Sequence, residues 1–244
     1  MRLHDFDALT FDCYGTLIDW ERGILSELKP WVQKNGLTID DGEILEAFAE
    51  LEPQHQAKTP DQLYPDVLTA VYLDLGKRWH IPADPDDAVA FGQSIGRWPA
   101  FADSTASLQY LKGHYRLVVL SNVDRASFAD SNKKLDVAFD RVITAQDVGS
   151  YKPDPRNFEH LISELADMGI EKKKILHTAQ SLFHDIAPAQ AAGLHTAWVN
   201  RRRGKAGGGA TAPPTYSVTP DFEVASLEEL VDKHKTELQD RSNQ

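Results

Sequence analysis

The sequence predicts an α/β fold, a doubly wound parallel sheet carrying a helical insert after its first strand, and three observations predict it. Residues 6–11 (FDALTF) form a short β-rich run ending in Asp12, with Gly15 close behind to permit a tight turn directly after a strand. Residues 116–120 (RLVVL), 142–145 (VITA), 175–178 (ILHT) and 196–199 (TAWV) are apolar without alternation, as expected of strands buried on both faces of a parallel sheet. Helical stretches at 104–111, 128–135, 156–168 and 186–192 separate these runs, and that alternation places a site at the carboxyl ends of the strands.

Residues 19–97 break the rhythm. Segments 43–51 (EILEAFAEL) and 65–78 (PDVLTAVYLDLGKR) each carry an apolar face at helical spacing, with Pro53, Pro60 and Pro82 as interruptions. The stretch reads as a helical cap inserted into a core made of residues 1–18 and 98–244. A cap at this point would close over the carboxyl edge of the sheet and exclude water. Arg201-Arg202-Arg203 followed by GKAGGGATAPP (204–214) reads as a mobile, solvated surface loop. Residues 222–231 read as a last short strand and helix, with a frayed polar tail after them.

Composition narrows the function classes. At 41% hydrophobic and 26% charged residues the chain is globular in type, and its formal charge of −11 repels nucleic-acid phosphates. No run approaches the roughly 18 apolar residues of a membrane span. The single cysteine, Cys13, forbids an internal disulfide, and Asp5 and Asp7 interrupt any N-terminal signal-like stretch. The expectation is a cytoplasmic protein with no nucleic-acid or membrane partner.

Four short motifs carry the chemistry. Asp12-Cys13-Tyr14-Gly15-Thr16-Leu17 follows the first strand, Ser121-Asn122 closes RLVVL, Lys152 stands in Tyr151-Lys152-Pro153-Asp154, and Ser181-Leu182-Phe183-His184-Asp185 comes fourth. A carboxylate on such a loop can attack carbon or phosphorus and form an ester, so Asp12 is the candidate nucleophile. Lys152 would keep it ionised, with Thr16 and Ser121 supplying hydroxyl hydrogen bonds. Taken singly, an Asp or Ser-Asn after a strand is ordinary cap or turn chemistry, and Asp185 has a second reading, compatible with the first, as the N-cap of a helix starting at Ile186. The four in this order, each after a strand, are specific.

The motifs resemble those of the haloacid dehalogenase superfamily, over nearly the whole chain from Phe6 to Leu230, and most of all its type II (S)-2-haloacid dehalogenase branch. The resemblance implies a Rossmann-like core, Asp12, Thr16, Ser121, Lys152 and Asp185 as catalytic residues, and a homodimer through the cap or the adjacent core helices. Phosphatases of the superfamily carry a second Asp two residues past the nucleophile to protonate the leaving group. Here that residue is Tyr14, whose ordinary pKa of about 10 suits it poorly to the task. Halide needs no such acid. In magnesium-dependent members an acidic residue stands five before the later Asp, where this chain has the uncharged Gln180, so neither a metal nor any other cofactor is expected.

Tyr14, Asn122, Gln180 and Phe183 are the expected substrate-binding residues, Asn122 offering an amide donor to the departing halide. The branch also carries an arginine early in the cap, and none occurs among residues 46–56 (EAFAELEPQHQ); Gln54, His55, Gln180 and His184 are the available substitutes as donors. The expected reaction is hydrolysis of a short (S)-2-haloacid to the (R)-2-hydroxyacid through an aspartyl ester. A phosphatase, a hydrolase of another small electrophile and a non-catalytic binding protein stay open as alternatives.

Overall fold

The structure is a computed structural model describing residues 1–204, 207–213 and 217–242. Six parallel strands, β1 (Ala8–Phe11), β2 (Arg116–Ser121), β3 (Arg141–Thr144), β4 (Ile175–Ala179), β5 (His195–Val199) and β6 (Phe222–Val224), stand in the order β3-β2-β1-β4-β5-β6. The fold is therefore the doubly wound α/β architecture. β1 and β4 are neighbours in the sheet but far apart in the chain, so the direction of winding reverses between them and a crevice opens at their carboxyl ends.

Alternate residues of the strands feed two cores. Val118, Leu120, Ala8 and Ile175 pack on one face of the sheet with Phe158, Leu161 and Leu165, while Leu117, Val119, Leu9 and Leu176 pack on the other with the larger cluster. The expected helices are present as α5 (Ser104–Lys112), α6 (Arg125–Leu135), the short α7 (Ala145–Val148), α8 (Pro155–Asp167), α9 (Ala187–Ala191) and α10 (Leu227–Ser242), after the four helices of the insert. Asp124 caps α6 by accepting from the Ser127 N–H, and Asp154 with Pro155 opens α8, each a local start signal. The tail does not fray at 231: α10 continues to Ser242. His234 is buried among Tyr110, Tyr115 and His114, and that packing holds the polar second half of the helix to the core.

The insert consists of α1 (Trp20–Lys34), α2 (Asp41–Lys58), α3 (Tyr64–Trp79) and α4 (Pro85–Gly92). Pro53 does not end α2, which runs on for five residues past it. The proline withholds one backbone donor, and the helix persists because Ile44, Leu45, Phe48, Glu52 and Gln56 are all buried along it. The strands of chain entering and leaving the insert run side by side: Ile18 bridges Ala100, the Asp19 N–H donates to the Pro99 carbonyl, and the Phe101 N–H donates to the Leu17 carbonyl.

Two of the three loop arginines are not solvated. Arg201 forms a two-pronged ion pair with Asp103 at 2.9 Å, donates to the Thr16 carbonyl and covers the Phe101 ring, while Arg202 pairs with Glu21 of α1 at 2.7 Å. Arg203 is half exposed. Of the glycine-rich segment, residues 205–206 and 214 lie outside the described residues; the described part sits on the insert and the sheet edge, where Ala210 is buried, its N–H donates to Glu21, and Thr211 donates to Gln180.

The seam between α1 and the returning chain is tight at Gly23, where an added Cβ would lie 2.2 Å from the fully buried Trp98 ring. Helix propensity alone would make Gly23→Ala stabilising by about 1 kcal/mol, but the clash decides the sign. Equilibrium urea unfolding should show Gly23→Ala less stable than wild type by about 1–3 kcal/mol.

Candidate active site

Asp12 is the first residue past β1, and its N–H donates to the Thr178 carbonyl of β4, so the loop begins at the crevice between the two strands. Gly15 takes φ +91°, a conformation that L side chains rarely adopt, and a Cβ there would also meet the Trp20 indole at 2.9 Å. The turn brings Thr16 back over Asp12: the Thr16 hydroxyl donates to Asp12 Oδ2 at 2.7 Å and accepts from the Gln180 N–H at 2.9 Å.

Lys152 is the centre of the cluster. Its ammonium, almost wholly buried, donates to Asp12 Oδ1 at 2.9 Å, Asp185 Oδ1 at 2.6 Å and the Leu120 carbonyl at 2.9 Å, so all three N–H bonds are used. Asn122 holds the Lys152 backbone from both sides, accepting from its N–H and donating to its carbonyl. Burial opposes the ammonium charge, yet the two carboxylates outweigh burial and raise Lys152 above its ordinary value. Burial also pushes Asp12 up; Lys152 and Thr16 pull down, Asp185 adds to the rise, and the Asp12 carboxyl ends above the usual range. Asp185 resists the same burial because Lys152 and His177 both favour its anion, and it lies below the usual range.

Asp185 sits in a π-helical turn, Leu182–Ile186, rather than acting as the cap of the next helix; Ser181 caps that turn by accepting from the His184 N–H. Behind Asp185 stands His177, completely buried in β4, with Nε2 3.0 Å from Asp185 Oδ1 and Nδ1 2.8 Å from the Thr10 hydroxyl. A carboxylate only accepts, so Nε2 carries the hydrogen. Sequence reasoning missed His177, although a histidine inside an otherwise apolar, doubly buried strand is a signal in itself.

Asp12, Tyr14, Asn122, Lys152, Gln180 and Asp185 all face one small cavity of about 30 Å³, closed from above by Trp20, Glu52 and Tyr64 of the insert. Tyr14 contributes only its ring. Its hydroxyl reaches away to Ser131 Oγ at 2.9 Å, and burial raises the phenol well above its ordinary pKa, so it is neither aimed nor tuned to move a proton at Asp12. The Ser121 hydroxyl is buried with no hydrogen-bond partner among the described residues. Phe183 is not brought to the cavity: it lines a separate groove between α8 and α9 with Pro153, Ile162 and Ala187. Of the substitute donors, His184 faces the cavity, its imidazole pushed by burial down to about 4 and so uncharged at neutral pH, whereas His55 pairs with Asp74 and Gln54 bonds to its own helix. Glu52, also missed, is the buried acid that the insert sets over the site.

The donor set does not fit a divalent cation. Oδ1 of both Asp12 and Asp185 is already taken by Lys152, Gln180 Oε1 accepts from Thr211, and no group of three or more His, Cys, Asp or Glu that could hold a metal occurs among the described residues.

Residues 6–193 match the haloacid dehalogenase-like hydrolase family, and the chain belongs to it. Among curated relatives, (S)-2-haloacid dehalogenase 4A of Burkholderia cepacia is 26% identical over 235 residues, covering 91% of this chain and 92% of that protein. Among solved structures, an L-2-haloacid dehalogenase superposes with a TM-score of 0.75 at 20% identity, covering 95% of this chain and 99% of the other. A HAD-hydrolase from Bacillus subtilis bound to magnesium superposes with a TM-score of 0.72 at 17% identity, covering 96% of this chain and 100% of the other. Structural likeness at these identities fixes the fold and leaves the reaction to the site. Among the described residues no helix is long and apolar enough to cross a membrane.

Two carboxylates compete for one buried ammonium, so the partners are unequal in stability. Lys152→Met strands both anions and should cost about 3–5 kcal/mol in urea unfolding. Asp12→Asn removes one competitor and should cost less than about 1 kcal/mol or stabilise.

Proposed function

We propose that the chain hydrolyses short (S)-2-haloacids to (R)-2-hydroxyacids through an ester on Asp12. The observation that carries the proposal is the environment of Asp12: a buried carboxylate held by Lys152 and Thr16 against a closed cavity, with the Tyr14 hydroxyl turned away where a phosphatase of this kind places its acid. The family assignment and the likeness to (S)-2-haloacid dehalogenases support it.

An Asp12 oxygen attacks C2 from the side opposite the halogen, the new C–O bond forms as the carbon–halogen bond breaks, and the halide leaves with the bonding electrons. Asn122 is the donor nearest to hand for it, since one of its two amide hydrogens is committed to the Lys152 carbonyl and the other is not. Water then attacks the carbonyl carbon of the Asp12 ester. The hydroxyacid departs with the former Asp12 oxygen, the oxygen of the water remains on Asp12, and the net proton is released with the halide. Asp185, fixed by His177 and Lys152, positions that water, and inversion at C2 comes from the first step alone.

A cavity of about 30 Å³ holds a water or two and no haloacid. The insert accordingly acts as a cap that opens to admit substrate and closes to exclude solvent. A homodimer in a cytoplasmic, reducing setting completes the proposal; the buried, free thiol of Cys13 is compatible with that setting.

Chloride or fluoride release from a small panel of haloacids tests the reading. Wild type should release halide equally with and without chelator, and Asp12→Asn should lower the rate by about 10³-fold or more. In a single turnover in heavy-oxygen water the label should appear in Asp12 rather than in product; label in the product overturns the covalent route. The nucleophile works ionised and its carboxyl lies above the usual range, so kcat/KM should fall with decreasing pH through a midpoint above about 4.

A further inference from the structure

The cavity has an unusual charge inventory for a carboxylate substrate. Lys152 is its only cation among the described lining residues, and all three of its N–H bonds are engaged by Asp12, Asp185 and Leu120. Two carboxylates against one ammonium leave the closed site negative before any anion arrives. Arg201 and Arg202, in the loop after β5, are committed to Asp103, the Thr16 carbonyl and Glu21.

What the insert offers instead is Glu52. Its side chain is almost wholly buried, one turn before Gln56 on α2. The Tyr64 hydroxyl and the Gln56 amide both donate to the same oxygen, Oε1, at 2.9 and 2.7 Å. Oε2 is equally buried and has no hydrogen-bond partner among the described residues, and Glu52 lines the cavity with Asp12 and Lys152. An ionised Glu52 would leave charge on a buried, unpartnered oxygen, whereas in the neutral acid Oε1 serves as the doubly accepting carbonyl oxygen and the proton belongs on Oε2.

We propose that Glu52 is a specificity-determining residue whose protonated Oε2 donates a hydrogen bond to the carboxylate of the substrate, filling the place of a cationic recognition group. The identity of the anion rests on the haloacid reading; the donor itself rests on the geometry of α2 and α3. The groups that face Glu52 agree with it. Burial is the main effect holding the proton on, pushing the carboxyl up to about 7; Asp12 adds to the rise, while Tyr64, Gln56 and Lys152 oppose it. Tyr64 and Tyr151 are neutral phenols pushed further up by burial, Asp185 is anionic, and His184 is uncharged. Oε2 itself has no hydrogen-bond partner among the described residues.

Glutamine is the informative replacement. Its carbonyl can accept from Tyr64 and Gln56 as Oε1 does, and its amide donates into the cavity at every pH. Methionine keeps the bulk and removes both charge and donor.

Calorimetric titration with propionate, an unreactive short carboxylate, tests the assignment between about pH 5.5 and 8.5. Wild type should bind it with an affinity that weakens about tenfold per pH unit above about 7, taking up about one proton per propionate at pH 8. Glu52→Gln should bind with one affinity across the range and no proton uptake. Glu52→Met should bind about tenfold or more weakly than Glu52→Gln at all pH values.

A Met variant as tight as the Gln variant, a flat wild-type profile, or no propionate binding by wild type would each overturn the proposal. If the Met variant does not fold, as judged by circular dichroism, the contrast between wild type and Glu52→Gln decides. The two readings fail separately: the predicted propionate behaviour without halide release from any haloacid keeps Glu52 and removes the dehalogenase, and halide release with a flat wild-type profile does the reverse.

Discussion

A single buried ammonium organises this site. Lys152 reaches from the segment after β3 across the ends of β2 and β1 to join Asp12, Asp185 and the Leu120 carbonyl, thereby connecting residues that lie more than a hundred positions apart in the chain. A charge so far from water persists only when fully paired, and each partner depends on the same condition. Asn122 grips the Lys152 backbone, His177 backs Asp185, and Thr16 backs Asp12, so the pairing extends outward to a second group behind each charge. Lys152 thus binds the site together with three hydrogen bonds, and the excess of one carboxylate leaves Asp12 the less comfortable anion of the two, which suits a group proposed to give up its charge to a carbon.

Much of this was legible in the sequence. Continuous apolar runs separated by helical ones forecast β2 to β5 and their parallel packing, because a strand covered on both faces has no polar side to display. The first motif was legible for a related reason: a carboxylate, a glycine and a hydroxyl within five residues of a strand end have few structural uses together. Tyr14 is more informative than either. Its replacement of an acid suggested that no proton donor stands beside Asp12, and its hydroxyl, turned toward Ser131, is consistent with that.

What stayed hidden depends on contacts that no local pattern encodes. His177 lay inside a strand and passed for filler. Pro53 looked like a helix end, yet α2 continues through it because tertiary burial outweighs one missing hydrogen bond. Arg201 and Arg202 looked like a solvated run beside glycines, but Asp103 and Glu21, each far away in the chain, draw them inward. Glu52 was the hardest to see. On a helical wheel it is one acid among several in EAFAELEPQHQ, and only the packing of α2 against α3 distinguishes it from Glu46 and Glu50, which remain at the outer surface.

The side-by-side junction at Ile18 and Ala100 has a consequence of its own. Because the chain leaves the sheet domain and re-enters it at adjacent points, the eighty-odd residues between them form an excursion with a common doorway, and the sheet's connectivity is indifferent to what the excursion contains. Substrate preference can then drift by redrafting the helices alone, leaving Asp12, Lys152 and Asp185 untouched, so this architecture separates the inheritance of chemistry from the inheritance of taste.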